Sequence, residues 1–291
     1  MNLSALLQST RRSLRRFGAA NPDVEAELIL GHVLGLKRAH LYLDPGRAIT
    51  AEEEAQALAI LDARSRRYPL QYVLGEIEFM GLPLMMREGV FIPRPETEIL
   101  VESLLARIGG ARAGGAGAAP EVLDLGTGSG AIAIALAKHL SAARVVATDM
   151  SVPAVGLARE NARLNLVADR VALVAADGLA AIARSAAGHF DILVSNPPYI
   201  PTGEIESLQP EVRDFEPRLA LDGGDDGLRF IAGTLSEIPS ILKSGGIVAF
   251  EIGATQGRAV SGLLEGAGLG GIEVLKDLAG RDRVAIGRRM P

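Results

Sequence analysis

The sequence lacks cysteine, and its few histidines lie far apart. Without cysteine the chain can form no disulfide bond, no thiolate metal site and no cysteine nucleophile, which fits a reducing compartment. The four histidines, His32, His40, His139 and His189, have no metal-ligand spacing to one another or to a cluster of carboxylates. We therefore expect a cytoplasmic protein without a metal site.

The chain also lacks an excess of basic residues and any long apolar run. The formal net charge of −5 argues against broad electrostatic attraction to nucleic acid, although it does not exclude a local basic patch. No apolar run approaches the roughly 18–20 residues of a membrane span. Tryptophan is absent and aromatic residues make up only 4%, so aliphatic side chains must fill the core. We expect no direct nucleic-acid partner and no membrane partner.

The N-terminal segment 1–18 contains no acidic residue. Its arginines and serines resemble a transit peptide in composition. The alternative is a surface helix whose apolar side is formed by Leu3, Leu6, Leu7, Leu14 and Phe17. We favour the helix, because a second helix start follows after a short turn.

Helical signals continue to about residue 75. Asn21-Pro22-Asp23 is typical of a helix start, Gly35 of a helix end, and Thr50 with Glu53 of a capping box. These signals predict a small N-terminal helical bundle over 1–75, which we interpret as a substrate-docking domain. Partly alternating apolar residues around Gly81 predict a hairpin linker over 76–90.

The remaining segment, 91–291, alternates between predicted strands and helices. We expect strands at 122–125, 144–148, 171–174, 190–195, 247–252, 272–275 and 283–286, and a helix over 230–242. Such alternation predicts an α/β domain with a mainly parallel sheet covered on both faces. The Gly- and Ala-rich segment 109–120 is predicted to be a flexible loop.

A glycine-rich stretch follows the first strand of this domain. Gly126-Thr127-Gly128-Ser129-Gly130 would let the backbone approach a ligand at a helix N-terminus, and Asp149 ends the next strand, where a carboxylate can bind ribose hydroxyls. Gly126, Gly128 and Ala131 also satisfy the dinucleotide pattern G-x-G-x-x-A, so a nicotinamide enzyme is a competing interpretation.

Acidic residues around that stretch favour a different cofactor. Asp124 lies just before the glycines, where a dinucleotide would place its pyrophosphate, and Asp177-Gly178 follows the third strand. Acids around the site suit a sulfonium cofactor that carries a free amino acid portion and no phosphate. S-adenosylmethionine is that cofactor.

The strand at 190–195 runs into Asn196-Pro197-Pro198-Tyr199. Two prolines fix φ and donate no N–H, so the segment should be stiff and extended, with carbonyls facing outward. Rigid acceptors beside an amide side chain suit the binding of a flat –NH2 group. Taken alone, the motif favours a proline-rich turn that ends a strand over such a binding site.

Several motifs together resemble a known family. The succession E-V-L-D-L-G-T-G-S-G, Asp149, Asp177 and N-P-P-Y is similar to class I methyltransferases that act on amino nitrogens of DNA adenine, RNA guanine or protein glutamine. The flanking F-I-P-R-P-E-T-E at 91–98, F-E-P-R at 215–218, A-L-D-G-G at 220–224 and G-R-D-R-V at 280–284 resemble the peptide chain release factor glutamine methyltransferases. The resemblance covers nearly the whole chain.

That resemblance implies a Rossmann-like domain with a mainly parallel seven-stranded sheet behind a small helical domain. It implies methyl transfer from S-adenosylmethionine, leaving S-adenosylhomocysteine, to the glutamine amide of the Gly-Gly-Gln motif in class 1 release factors. Residues 126–130 would hold the methionine portion of the cofactor, Asp149 the ribose, and Asp177 and Gly178 the adenine. The family often has a large aromatic residue where this chain has Gly178.

The same resemblance makes N-P-P-Y the reaction site. Asn196, Pro197 and Tyr199 would be catalytic, Asn196 would also contact the cofactor, and Pro198 would join them in binding substrate. Asn196 Oδ1 and the Pro197 carbonyl would accept both N–H bonds of the substrate amide, and Tyr199 would pack on its plane. A nucleic-acid amino methyltransferase and a non-catalytic binding module are the alternatives.

Overall fold

The structure, a computed structural model, describes residues 1–112, 119–182 and 188–291, without the side chains of 109–112. It divides into two compact units. The first comprises Met1–Glu76 and Gln209–Phe215, and the second comprises Ile77–Leu208 and Glu216–Pro291. A segment from the middle of the sequence therefore belongs to the same unit as the N-terminal residues.

The first unit is helical. Its N-terminal part contains α1 (Leu3–Phe17), α2 (Pro22–Leu34), a 3-10 turn (Arg38–Tyr42), α3 (Ala51–Ser65) and α4 (Leu70–Leu74). Leu3, Leu6, Leu7 and Leu14 of α1 are buried in the core of this unit, as the helix interpretation of 1–18 predicts.

The predicted helix ends of this unit are present in the structure. Pro22 begins α2, and Gly35 ends it in the left-handed conformation, with φ 62°. Thr50 caps α3 through its side chain, and the Glu53 carboxylate accepts from the Thr50 backbone N–H in return. These local signals are legible in the sequence because capping depends on residues within one helical turn of each other.

A hairpin of β1 (Glu76–Phe79) and β2 (Leu82–Met85) follows, and the second unit begins within β1, at Ile77. The chain then forms α5 (Glu96–Arg112), β3 (Glu121–Leu125), α6 (Ala131–His139), β4 (Arg144–Asp149), α7 (Val152–Leu164), β5 (Val171–Ala175) and β6 (Phe190–Ser195). A 3-10 turn (Thr202–Ser207), α8 (Pro210–Arg213, part of the first unit) and a second 3-10 turn (Arg218–Ala220) follow. The chain ends with α9 (Arg229–Leu235), α10 (Ile238–Ile241), β7 (Leu242–Glu251), α11 (Gly257–Gly266), β8 (Leu269–Lys276) and β9 (Asp282–Arg289).

Seven strands form one sheet in the order β5-β4-β3-β6-β7-β9-β8. The pairs from β5 to β7 are parallel, and β9 is antiparallel to both β7 and β8. This confirms the predicted mainly parallel sheet. No helix of the described ranges is both long enough and apolar enough to cross a membrane.

Three predictions were wrong in detail. The helix expected over 230–242 is two helices, because Pro239 lacks an N–H and is accommodated only in the first turn of a new helix, α10. Strand β7 begins at Leu242, earlier than expected, and pairs with Phe190 before a register shift. The backbone of 109–112 continues α5, so the predicted loop 109–120 does not begin there, and 113–118 lie outside the described residues.

Parallel pairing brings the predicted site residues to one edge of the sheet. Leu125 at the end of β3 pairs with Ser195 at the end of β6, and Ser195 pairs with Phe250 of β7. The glycine-rich stretch, Asn196 and Glu251 follow or complete these strands. They lie side by side because the carboxyl ends of parallel strands share an edge.

Candidate active site

The glycine-rich stretch forms an open turn between β3 and α6. Gly126 and Gly128 have φ of 70° and 56°, and a Cβ added at either would meet no atom within 4 Å. At Gly130, by contrast, a Cβ would come within 2.9 Å of Ile134 Cδ1. The backbone N–H of Gly126 donates to the Thr148 carbonyl at 2.8 Å, which ties the turn to β4. The first two glycines thus leave the backbone open to a ligand, while the third allows close packing.

Asp149 lies beside this turn at the end of β4. Its Oδ2 accepts from the Gly128 N–H at 2.8 Å, and its Oδ1 accepts from the Ser151 N–H at 2.8 Å. Both bonds hold the carboxylate in one orientation. Since each oxygen can accept more than one hydrogen bond, Asp149 retains acceptor capacity for two hydroxyls of a ribose.

A buried acid lies under the same turn. Asp124 is fully buried, and its Oδ2 accepts from Thr127 Oγ1 at 2.6 Å. No described group donates a well-formed hydrogen bond to Asp124 Oδ1, and the Ser129 hydroxyl is likewise buried without a partner among the described residues. Burial raises the pKa of Asp124 to about 7. An unpaired buried carboxyl oxygen beside an open glycine turn fits the cationic amino acid portion of S-adenosylmethionine.

The third acidic position is more exposed. Asp177 is exposed, and Gly178 has φ 50°. A Cβ added at Gly178 would have only Thr234 Cγ2, at 3.9 Å, as a neighbour. The Gly178 carbonyl accepts from Thr148 Oγ1 at 3.3 Å, which places this turn next to β4.

The N-P-P-Y segment leaves β6 next to the glycine turn. The Ser195 hydroxyl donates to the Leu125 carbonyl at 2.6 Å, which joins the ends of β6 and β3. Pro197 is buried, whereas Asn196 and Tyr199 are half-buried. Among the described residues, none donates a hydrogen bond to Asn196 Oδ1 or to the Pro197 carbonyl. Two acceptors therefore remain available at the end of β6.

The later carbonyls of the motif do not all face outward, as the sequence suggested. The Tyr199 carbonyl accepts from Gln256 Nε2 at 2.9 Å. The Pro198 carbonyl lies only 2.7 Å from where a Cβ on Gly223 would stand. The backbone after Pro197 is therefore enclosed by the segment 220–228 and by Gln256.

A chain of side chains continues inward from the motif. Asn196 Nδ2 donates to Thr97 Oγ1 at 3.1 Å, and Thr97 Oγ1 donates to Glu251 Oε2 at 2.6 Å. The Tyr199 hydroxyl donates to Glu251 Oε1 at 3.1 Å. Burial raises the pKa of Glu251, while the bonds from Thr97 and Tyr199 and the charge of Arg283 oppose that shift. Burial likewise raises the pKa of Tyr199.

The arginine of the 91–98 motif has a structural partner. Arg94 forms an ion pair with the buried Glu216, whose Oε2 also accepts from the Ile92 N–H at 3.3 Å. The Arg94 guanidinium lies 5.0 Å from the ring centre of Phe91. The ion pair of Arg94 with Glu216 thus joins the motif F-I-P-R to the motif F-E-P-R.

Sequence reasoning did not single out Thr97, Glu251 or Gln256. Thr97 lies within the 91–98 motif, where its charged neighbours give the stronger sequence signal. The sequence does contain a signal for Glu251, which lies near the end of a strongly apolar predicted strand. Burying a carboxylate costs free energy unless it is paired or hydrogen-bonded, so an acid at such a position indicates a specific role. Gln256 gives no comparable signal.

Comparison with known proteins identifies the family. Residues 5–75 match the family model of the PrmC N-terminal domain, and residues 88–209 match that of the methyltransferase small domain. A release factor glutamine methyltransferase of Moorella thermoacetica is 41% identical over 290 residues, which cover 99% of each chain. The chain belongs to the release factor glutamine methyltransferase family. A second relative of that name, from Chlorobaculum tepidum, is 43% identical over 263 residues, 90% of this chain and 88% of its own.

Solved structures agree on the fold of this family member. A methyltransferase from Pyrococcus furiosus superimposes with a TM-score of 0.53 at 20% identity, over 73% of this chain and 91% of its own. A T. thermophilus 16S rRNA methyltransferase in complex with AdoMet and guanosine gives 0.52 at 22% identity, over 74% and 49%. The predicted family and the predicted class I methyltransferase fold are both confirmed.

Proposed function

We propose that this protein transfers a methyl group from S-adenosylmethionine to the side-chain amide nitrogen of the glutamine in the Gly-Gly-Gln motif of class 1 release factors. The observation that carries the proposal is the pair of acceptors at the end of β6. Asn196 Oδ1 and the Pro197 carbonyl have no donor among the described residues. They lie next to a glycine-rich turn whose backbone is open to a ligand. Membership of the glutamine methyltransferase family supplies the class of substrate.

The cofactor site is assigned residue by residue. Residues 126–130 hold the methionine portion, Asp149 holds the ribose, and Asp177 and Gly178 lie by the adenine. Gly178 offers no side chain for packing, but Met150, which follows Asp149, is 51% exposed and offers an apolar surface. When bound, S-adenosylmethionine supplies an electrophilic methyl group on a sulfonium sulfur.

The protein's contribution is to orient a poor nucleophile. An amide nitrogen attacks weakly because its lone pair is delocalised into the carbonyl. Asn196 Oδ1 and the Pro197 carbonyl accept the two N–H bonds of the substrate, which aims the nitrogen along the line of attack and stabilises positive charge that develops on it. Tyr199 packs on the amide plane, Pro198 completes the contact surface, and the proton leaves to water after transfer.

The helical N-terminal domain is assigned to substrate docking. In this proposal residues 1–75 bind the release factor, the hairpin over 76–90 links the domains, and 91–291 carry out the reaction. A cytoplasmic location follows from a substrate that acts in translation. Nucleic acid is not a direct partner.

The test is transfer of a labelled methyl group to a purified release factor, compared with a Gln→Ala variant of its Gly-Gly-Gln motif. Label should enter the first protein and not the second. Asn196→Ala should lower kcat by about 10²–10³-fold, because an oriented hydrogen-bond acceptor is lost, while the Kd for S-adenosylmethionine changes little.

Asn21→Ala is the matched control, since Asn21 is exposed and its side chain makes no capping bond. Undiminished turnover by Asn196→Ala would refute the role of that residue. Label appearing in DNA or RNA instead of the release factor would favour the nucleic-acid alternative.

A further inference from the structure

The buried side chains Thr97 and Glu251 lie behind the reaction site and have no part in the steps above. They come from separate elements: Thr97 is in the first turn of α5, and Glu251 ends β7. Both are at most 2% exposed. We propose that Thr97 and Glu251 are positioning residues that determine which end of the Asn196 amide faces the substrate. The inference rests on the proposed function, in which Asn196 Oδ1 accepts from the substrate amide.

The direction of the hydrogen bonds follows from the chemistry of the three groups. The Thr97 and Tyr199 hydroxyls each lie within hydrogen-bonding distance of one Glu251 oxygen, at 2.6 and 3.1 Å. Burial raises the pKa of Glu251, but these two bonds and the charge of Arg283 oppose that shift and favour the carboxylate form. A carboxylate only accepts hydrogen bonds. The single proton of the Thr97 hydroxyl is therefore committed to Glu251 Oε2, at 2.6 Å.

The committed hydroxyl can then only accept from its other neighbour. Asn196 must present Nδ2 to Thr97, as it does at 3.1 Å, because turning Oδ1 towards it would place two acceptors together without a proton. With Nδ2 engaged, Oδ1 is the end of the amide that remains for the substrate. Glu251 thus fixes the direction of the Thr97 hydroxyl, and the Thr97 hydroxyl in turn fixes Asn196 Oδ1 as the acceptor that faces the substrate.

The shape of the surrounding packing alone could not fix the orientation of the Asn196 amide. The two ends of a primary amide are nearly identical in size, so packing does not distinguish Asn196 from its flipped form. In the flipped form an N–H would face the N–H of the substrate amide, and the acceptor that aims the nucleophile would be lost. The same carboxylate also holds the Tyr199 hydroxyl at 3.1 Å, so one buried acid orients two side chains of the motif.

Thr97→Val tests the proposal, because valine has nearly the shape of threonine but no hydroxyl. We expect kcat for methylation of the release factor to fall about tenfold or more, with the Kd for S-adenosylmethionine unchanged within about threefold. Thr97→Ser keeps the hydroxyl and should restore most of the turnover. Thr97→Ala removes the same hydroxyl without adding a methyl group. If the missing hydroxyl causes the loss of turnover, Thr97→Ala should show the same loss, and a packing effect of valine is then not the cause.

A double-mutant cycle separates positioning from a general structural effect. If Thr97 acts through Asn196, adding Thr97→Val to Asn196→Ala should lower kcat no further. Losses that multiply in the double variant, full kcat in Thr97→Val, or equal losses in Thr97→Ser and Thr97→Val would each overturn the proposal. Failure of the natural protein to label the release factor would instead refute the proposed function, so the two failures are distinguishable.

Discussion

Asp124 is a fully buried acid beneath the glycine-rich turn. Its carboxyl has one oxygen bonded to Thr127 and one without a well-formed bond among the described residues, and burial raises its pKa to about 7. At neutral pH an unliganded molecule therefore holds a mixture of protonated and ionised Asp124. A cationic ligand next to Oδ1 favours the ionised form.

We predict that S-adenosylmethionine binds more tightly as the pH rises through about 7, because Asp124 loses its proton there. Below this pH, binding should release a proton, which calorimetry in two buffers of different ionisation enthalpy can measure. Asp124→Asn should weaken binding and abolish the pH dependence. A flat affinity profile for the natural protein between pH 6 and pH 8 would contradict the assignment (about one pH unit on each side of the pKa).

The raised pKa of Asp124 affects stability in the opposite direction: ligand affinity should increase with pH, whereas the free energy of unfolding should decrease. Between the ordinary carboxyl pKa of 3.8 and about 7, the folded protein holds a proton on Asp124 that the unfolded chain has released. The contribution of this residue to the free energy of unfolding is therefore fully present below pH 4 and declines as the pH rises towards 7. Binding of a cationic ligand thus favours ionised Asp124, whereas folding favours the protonated form.

At the scale of elements, the segment 220–228 packs against the backbone of the N-P-P-Y motif. Gly227 has φ 76°, and a Cβ there would stand well inside van der Waals distance of the Tyr199 carbonyl. Gly223 leaves equally little room beside the Pro198 carbonyl. Gly223 of the A-L-D-G-G motif and Gly227 are thus required by close packing against the backbone of N-P-P-Y.

We predict that Gly227→Ala displaces Tyr199 and lowers kcat by about 10²-fold, since small misplacements of reacting groups are costly. It should also lower the free energy of unfolding by about 2 kcal/mol through backbone strain. Gly203→Ala is the matched control, because Gly203 has no positive φ and no atom near an added Cβ. Equal behaviour of the two variants in turnover and in thermal unfolding would show that Gly227 has no such role.

Local patterns allowed much of the candidate site to be proposed from the sequence. The glycine turn, Asp149 and N-P-P-Y could be found because each depends on neighbours in sequence and on the order of parallel strands. Thr97 and Glu251 could not be assigned, because their roles arise from a bond between side chains 154 residues apart. The break before Pro239 was missed because apolar periodicity continues through it, although proline is itself a local signal.

On the scale of the whole molecule, the helical unit depends on residues from far along the chain. The Arg64 side chain is 4% exposed and bonds both to Glu25 and to Glu211, and Glu211 also accepts from Arg67 at 2.6 Å. Tyr68 contacts the ring of Phe215 edge-on, with ring centres 5.2 Å apart. Gln209–Phe215 is therefore an integral part of the first unit, which a division of the sequence at residue 75 does not anticipate.

We predict that Glu211→Ala lowers the free energy of unfolding of the helical unit by about 2 kcal/mol, because it leaves the buried Arg64 with one carboxylate fewer. Glu211→Gln, which keeps the size of the side chain, should lower it less. Glu52→Ala is the control, since Glu52 is exposed on α3 and its loss should cost less than about 0.5 kcal/mol. Urea unfolding followed by circular dichroism measures all three, and no difference between Glu211→Ala and Glu52→Ala would contradict the expected role of Glu211.

The discontinuous helical unit also sets an order of events during synthesis of the chain. Arg64 leaves the ribosome long before Glu211, which is 147 residues further on. By then strands β3 to β6 and the N-P-P-Y motif have already been made. The helical unit, although it comes first in the sequence, can acquire its last ion pairs only after much of the sheet has been translated. A nascent chain that stalls before residue 211 therefore carries an incomplete helical unit.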